Sequence, residues 1–389
     1  MSHDSIHLDA ARLALRDEAR RFAAEQVLPL ADRLDPRREE MPRELLRRMA
    51  AQGYFGLLVD RAHGGMGLGV LEYCLVAEEL ARAWMSSASI IARANGMGCD
   101  VADPQRRAEL LARSAAGDWI GAVAFSEPEA GSDLANVSCA ARRDGDDWLL
   151  TGDKRWCGNA LAADFVVVLA RVAPPAPGSR WRGLALFLVE KERDAFPAGM
   201  SGAPIDKIGY FGMTTWNLRL DEVRVPAGNR LRSTSDEGFL DTVATLNVAR
   251  VHTAARAVGL ARAGLEDALA YAAARAQFGR PIADFQATRF KLADMATRIE
   301  AARQLCHHAA ELVDRGVRAD KEAAMAKLFA SEMAEEVTSA ALQIHGGNGY
   351  TTEHAVERHW RDARLTTVFE GTSEIQRQII GDRLLGGRA

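Results

Sequence analysis

From residue 9 to about residue 118 apolar positions recur at helical intervals. Leu13 and the stretch from Phe22 to Leu30 alternate with Arg16, Asp17 and Arg20, and Glu44 to Ala51 repeats the pattern until Gly53 predicts a stop. His63 to Gly69 (HGGMGLG) reads as a glycine loop, and Leu71 to Trp84 as a further helix with Leu75, Val76 and Leu80 on one side. The period changes at about Gly121. Val137 to Arg143, Trp148 to Gly152, Asp164 to Val172, Leu184 to Glu190 and Trp216 to Val225 are short runs rich in β-branched and aromatic residues, which predicts strands. Asp144-Gly145 marks a tight hairpin, and Pro174 to Gly178 (PPAPG) an exposed loop. From about Gly238 the helical period returns: Val251, Ala254, Ala255 and Val258, then Leu265, Ala268, Leu269 and Ala272, share one face. The strands cluster and do not alternate with helices, so the expected class is mainly α with a central, antiparallel β unit (α+β), not a doubly wound parallel sheet.

A chain of 389 residues with 48% hydrophobic and 26% charged residues has the length of two or three domains and the apolar content of a folded core. Its longest apolar runs, Phe165 to Ala170 and Leu184 to Val189, are strand-sized, too short to span a bilayer. A net charge of −4 offers no basic field, so neither nucleic acid nor an anionic membrane is an expected partner. The opening MSHDSIHLDA has neither the basic and apolar regions of a signal peptide nor the Arg-rich character of a transit peptide, so a cytoplasmic protein is expected. Cys74, Cys99, Cys139, Cys157 and Cys306 are scattered without a C-x-x-C pair, which predicts reduced thiols and no metal centre. G-x-G-x-x-G, Walker, H-E-x-x-H and G-x-S-x-G patterns are all absent.

Five segments carry candidate chemistry. In AFSEPEAGSDLA (Ala124 to Ala135), Pro128 and Gly131 force a turn, and Ser126, Ser132 and main-chain N–H groups offer donors to a polar heterocycle or phosphate; from turn chemistry alone an ordinary Asx/Ser turn is the favoured reading. Within TGDKRWCGNA (Thr151 to Ala160), at a strand end, Trp156 is either a core indole or a flat wall for an aromatic cofactor. RAQFGRPIADFQ (Arg275 to Gln286) reads as a helix ending at Gly279, with Arg275 and Arg280 either solvated or gripping a pyrophosphate. In LQIHGGNGY (Leu342 to Tyr350) the glycines either cap a helix or admit a ligand to the backbone. In VFEGTSEIQRQI (Val368 to Ile379) Glu370 precedes a Thr372-Ser373-Glu374 helix start: it is either a helix-initiating acid or a partly desolvated general base.

Taken together, SEPEAGSD, GDKRW, RAQFGRPIADFQ, LQIHGGNGY and FEGTSEIQR resemble the acyl-CoA dehydrogenase family over residues 10 to 385. The resemblance implies an N-terminal helical domain (1–120), a central antiparallel β-barrel-like domain (121–234) and a C-terminal four-helix bundle (235–389). It implies FAD, an acyl thioester substrate on CoA, an electron-transfer flavoprotein as acceptor and a homo-oligomer, dimer or tetramer. On this resemblance Glu370 is the base that takes the α-proton while the β-hydrogen leaves as hydride. Phe125, Ser126, Gly131, Ser132 and Trp156 match positions at the flavin ring or thioester. Arg275, Gln277, Phe285, Gln286, Gln343, Gly346 and Gly347 match positions on the pyrophosphate and adenosine, several from a neighbouring subunit. Thr372 and Glu374 match cofactor contacts just after the base, and Arg250 an arginine near the thioester and pantetheine arm, with Gly371 and Asn247 in the same substrate region. The chain departs from the family pattern in three places. Trp156-Cys157-Gly158 lacks the hydroxyl that normally reaches flavin N5, Asn247 replaces an acidic residue, and Gly212 to Trp216 replaces a serine/aspartate-rich turn. Ala249 excludes the family's alternative base position. A carrier-protein-bound thioester, or oxygen-using oxidase or monooxygenase chemistry prompted by Gly158, are the rival readings.

Overall fold

The computed structural model describes residues 8–175, 179–232 and 239–386, with side chains of 239–246 excluded. The opening seven residues, the tail of the PPAPG loop and the expected helix start at Gly238 lie outside the described residues. The N-terminal third is helical: α1 (Ala10–Phe22), α2 (Leu28–Leu34), α3 (Arg43–Ala51), α4 (Val70–Ala83), α5 (Met85–Ile91) and α6 (Pro104–Ala116). Local chemistry sets these boundaries. Asp9 caps α1 by accepting from the Arg12 N–H at 2.9 Å, and Asp103 with Pro104 opens α6. A π-turn over Ala23–Val27 joins α1 to α2 just ahead of Pro29, which has no N–H to continue the ladder.

Seven strands follow: β1 (Gly121–Ala124), β2 (Ala140–Asp144), β3 (Asp147–Gly158), β4 (Phe165–Arg171), β5 (Leu184–Glu190), β6 (Met200–Pro204) and β7 (Thr215–Val225). They form one sheet in the order β1-β4-β2-β3-β7-β6, with β5 paired to β4. The hairpin at Gly145 stands as its sequence predicts, but the sheet is mixed: β1 runs parallel to β4, and Ala140 of β2 pairs in parallel with Arg171. Two expected strands move. Trp148 to Gly152 is part of a strand that continues to Gly158, so GDKRW lies inside β3 and not at its end. β2 starts at Ala140, because the N–H groups of Ser138 and Cys139 are taken by the Glu127 carboxylate at 2.7 and 2.9 Å.

The C-terminal part comprises α7 (Phe239–Ala274), α8 (Gln286–Asp314), α9 (Asp320–His345), α10 (Val356–Thr366) and α11 (Ser373–Leu384), with a small hairpin of β8 (Ala276–Gln277) and β9 (Arg280–Pro281) between α7 and α8. The expected helix end at Gly279 is overturned: α7 stops at Ala274, and Phe278 and Gly279, both at positive φ (54° and 79°), form the hairpin tip.

One apolar core spans α4, α5, α7, α8 and α9, so the two helical regions are packed on each other, while the sheet holds a core of its own around Leu150, Val166, Val168 and Phe187. α4 is buried on all sides, not on the single face its pattern suggested. It meets α7 so closely that a Cβ on Gly259 would stand 2.3 Å from the Glu78 carbonyl oxygen. Its buried acids Glu78 and Glu79 face Arg303 of α8 (3.0 Å to Glu78) and Arg262 of α7 (2.8 Å to Glu79), with Arg20 of α1 3.0 Å from Glu79. Burial pushes Glu78 up, and Arg303 and Arg262 override this, holding it down to about 2.

In the β region Lys154 of β3 donates to Glu127 at 2.7 Å and to the Phe125 carbonyl at 3.1 Å. Both charged side chains are almost wholly buried. This pair joins the SEPEAGSD and GDKRW segments, which the sequence alone presents as separate signals. Replacing Lys154 by Met strands a buried carboxylate, so the Lys154→Met variant should lose about 3–5 kcal/mol in urea unfolding. An unchanged midpoint contradicts the assigned role.

Candidate active site

Glu370 lies half-buried in the turn between α10 and α11, with φ at 55° and Gly371 at 86°. A left-handed conformation is unfavourable for a glutamate by about 1–2 kcal/mol and needs support. Support comes from Lys327 of α9, whose Nζ donates to the Gly371 carbonyl at 2.6 Å, and from Gln376 of α11, which donates to the same oxygen at 2.9 Å. Neither Lys327 nor Gln376 is exposed at all. Thr372 caps α11 by accepting from the Ile375 N–H at 3.4 Å, as the capping pattern anticipated, and Glu374 is exposed in its first turn. Burial pulls the Lys327 ammonium down to about 8 against the opposing charge of Glu370.

Facing this turn, α7 presents buried Arg250, whose Nη1 donates to Asn247 at 2.5 Å and whose Nε has no partner among the described residues. Six residues on, Arg256 donates to Ser89 of α5 at 2.8 Å and to Thr253 at 2.7 Å, and lies 4.9 Å from the Phe369 ring centroid. No carboxylate pairs with either arginine among the described residues. Tyr73 of α4 stacks on His252 with centroids 3.6 Å apart, and both the Tyr73 hydroxyl and His252 Nε2 are buried without a hydrogen-bond partner. Burial raises the Tyr73 hydroxyl, with Arg256, Arg93 and Glu370 all close enough to act on it. Sequence reasoning missed Lys327, Gln376, Tyr73, Arg93 and Arg256: a single charge or tyrosine in a helical pattern carries no local sign of what it faces.

On the β side, the Arg155 N–H donates to the Ser126 carbonyl at 2.9 Å, so the half-buried Phe125-Ser126 segment lies beside Trp156. The β3–β7 register shifts between Lys154 and Cys157, and Trp156 adopts φ 63°. This bulge turns the indole outward to 55% exposure, so the core alternative for Trp156 is overturned. Cys157 and Gly158 are buried, while Gly131 and Ser132 lie exposed on the preceding loop. A Cβ on Gly158 would lie 3.5 Å from Nη2 of Arg93, a guanidinium with no ion pair or hydrogen bond among the described residues.

The remaining candidates form a separate patch. Arg275, Gln277 and Gln286 are exposed around the β8–β9 hairpin, with Phe285 half-buried under the Arg280 guanidinium at 4.2 Å. Gln343, Gly346 and Gly347 are exposed where α9 ends. Within this chain no described hydrogen bond or ring contact ties these residues to Trp156 or Glu370.

The residues suit FAD. Trp156 offers a bare aromatic face, open space surrounds Gly131, Gly346 and Gly347 where a Cβ would meet nothing within 4 Å, and exposed arginines stand ready for phosphate. No group of acids, histidines and cysteines suited to a metal ion occurs among the described residues. No described helix is long and apolar enough to cross a membrane, and all five cysteines are free and buried.

Three acyl-CoA dehydrogenase profiles match in sequence order: the N-terminal domain over residues 9–118, the middle domain over 122–223 and the C-terminal domain over 236–385. An acyl-CoA dehydrogenase of Bacillus subtilis is 39% identical over 386 residues, covering 98% of this chain and 100% of that one. The butyryl-CoA dehydrogenase structure from Megasphaera elsdenii aligns with a TM-score of 0.91 at 32% identity, covering 98% and 100%. A glutaryl-CoA dehydrogenase from Mycobacterium smegmatis in complex with FADH2 aligns at 0.89 and 28% identity, covering 98% and 96%. The chain belongs to the acyl-CoA dehydrogenase family, FAD-dependent oxidoreductases acting on CH–CH bonds of acyl-CoA.

Proposed function

We propose that this chain desaturates an acyl thioester between Cα and Cβ, with Glu370 as the base. The observation that carries the reading is the Glu370 turn: a carboxylate on a strained, doubly braced backbone, acting on Arg250, Lys327 and Tyr73. An α-C–H is a weak acid, so its removal needs a base held in line and positive field at the carbonyl oxygen, where charge develops. Glu370 takes the α-proton. The unpartnered Arg250 Nε–H and Lys327 supply field, and Gly371 lets the backbone approach the thioester. FAD, when bound, supplies the acceptor for the β-hydride.

Phe125, Ser126, Gly131, Ser132, Trp156, Cys157 and Gly158 would line the ring, with Thr372 and Glu374 beside it. Arg275, Gln277, Phe285, Gln286, Gln343, Gly346 and Gly347 would hold the pyrophosphate and adenosine. Their separation from Trp156 within one chain supports completion of the site by a neighbouring copy, and exposed Phe278, Tyr350 and Leu385 support an apolar contact there. On this reading the chain divides near residues 120 and 234, the thioester is carried by CoA, and an electron-transfer flavoprotein takes the electrons.

Anaerobic mixing with acyl-CoA should bleach the oxidised flavin. Bleaching only by a carrier-protein thioester moves the substrate, and a strict need for oxygen refutes dehydrogenation. Glu370→Gln should keep FAD and fold and lose roughly 10²- to 10⁴-fold in turnover; near-normal turnover places the base elsewhere. Lys327, held at about 8 against an unfolded value near ~10.4, binds its proton less well folded than unfolded. Its contribution to stability therefore rises as pH climbs from about 8 to about 10.4. Lys327→Met should flatten that rise in urea titrations across the window, and a slope equal to wild type contradicts the assignment.

A further inference from the structure

On the desaturation reading, the acyl group lies beside a cluster of polar groups that has no carboxylate partner of its own among the described residues. The Tyr73 hydroxyl is fully buried and unpartnered, His252 Nε2 beside it is unpartnered, and the Arg93 guanidinium has neither ion pair nor hydrogen bond among the described residues. Arg256 adds a second cation whose hydrogen bonds go only to neutral oxygens, those of Ser89, Thr253 and His252. Arg93, Arg256 and Glu370 all act electrostatically on the Tyr73 hydroxyl, and Arg256 lies 4.9 Å from the ring centroid of Phe369, the residue before the proposed base. The elements are α4, the segment after α5, and α7.

A buried hydroxyl and wholly or partly buried cations are costly without acceptors, and an anion is the group that would satisfy them together. The phosphates of CoA do not suit the spot: they are multiply charged and attached to a bulky nucleotide, and the cluster lies among packed helices. A single carboxylate at the far end of a short acyl chain suits it, because the chain that brings its α-carbon to Glu370 delivers its other end to Tyr73 and Arg93. A planar guanidinium pairs with a carboxylate in a fork, a geometry that also fixes which acyl groups are accepted. We propose that the physiological substrate is the CoA monothioester of a short dicarboxylic acid, with Arg93 and Tyr73 receiving the free carboxylate.

The test uses the flavin-loaded enzyme and two probes, glutaryl-CoA and butyryl-CoA, read by anaerobic flavin bleaching and by kcat/KM. Wild type should prefer glutaryl-CoA, and Arg93→Met should lower the glutaryl-to-butyryl ratio by about 10- to 100-fold, the range for a lost charge-assisted hydrogen bond. Arg93→Lys should restore part of the ratio, and Tyr73→Phe should lower it several-fold while leaving Arg93 in place. A wild-type preference for butyryl-CoA overturns the proposal, as does an Arg93→Met variant that loses both substrates equally. Bleaching by butyryl-CoA alone sinks this inference and leaves desaturation standing; no bleaching by any thioester sinks both.

Discussion

The structure depends on where two buried carboxylates find their cations. Glu78 and Glu79 stand on a helix surrounded by apolar neighbours, and only arginines reaching in from α1, α7 and α8 make that tolerable. The arrangement fixes more than stability. Arg262 is on the same helix as Arg250, His252 and Arg256, and Glu78 is on the same helix as Tyr73. Gly259 lets the two helices touch, and the ion pairs set how far one slides along the other. A slip of one helical turn would move Tyr73 away from His252 and take each acid off its arginines.

Much of this was legible beforehand, and the reason is periodicity. Leu71 to Trp84 and Val251 to Ala272 carry enough helical repeat to place α4 and α7, and the clustering of strand-like runs separated the β region from both. What was not legible is pairing at a distance. The parallel contact of β1 with β4 leaves no mark on either strand. β3 ran past its expected end because Gly152 looks like a terminus, whereas in the sheet it marks a register shift at Thr151, where β7 slips by one residue. The end of α7 was misplaced because Gly279 is a common helix terminator, and only the hairpin shows that its positive φ serves a turn instead.

The site shows the same division. Glu370 could be singled out from its junction and Trp156 from its strand, but each stayed ambiguous until the backbone was known. For Trp156 the deciding fact is a bulge; for Glu370 it is a left-handed φ held by Lys327 and Gln376. A lysine in the middle of a helix reads as a solvated charge, and only burial reveals that it serves the carbonyl one residue beyond the base.

The charge balance around that base has a mechanistic meaning. Arg250, Arg256 and Lys327 bring three cations to the neighbourhood, and the one carboxylate acting on Tyr73, Arg250 and Lys327 in common is Glu370. If Glu370 takes a proton from the α-carbon, the negative charge does not vanish; it passes to the thioester oxygen a short distance away. Cations that compensate the carboxylate before the transfer can compensate the enolate oxygen after it. Because they are fixed by packing and by hydrogen bonds to Asn247, Ser89, Thr253 and the Gly371 carbonyl, they need not reorient as the charge moves. A solvent-exposed carboxylate would have its compensation in mobile water, which must reorganise at each transfer. The braced turn and the buried arginines are therefore two parts of one requirement, a negative charge that can change atoms without changing its surroundings.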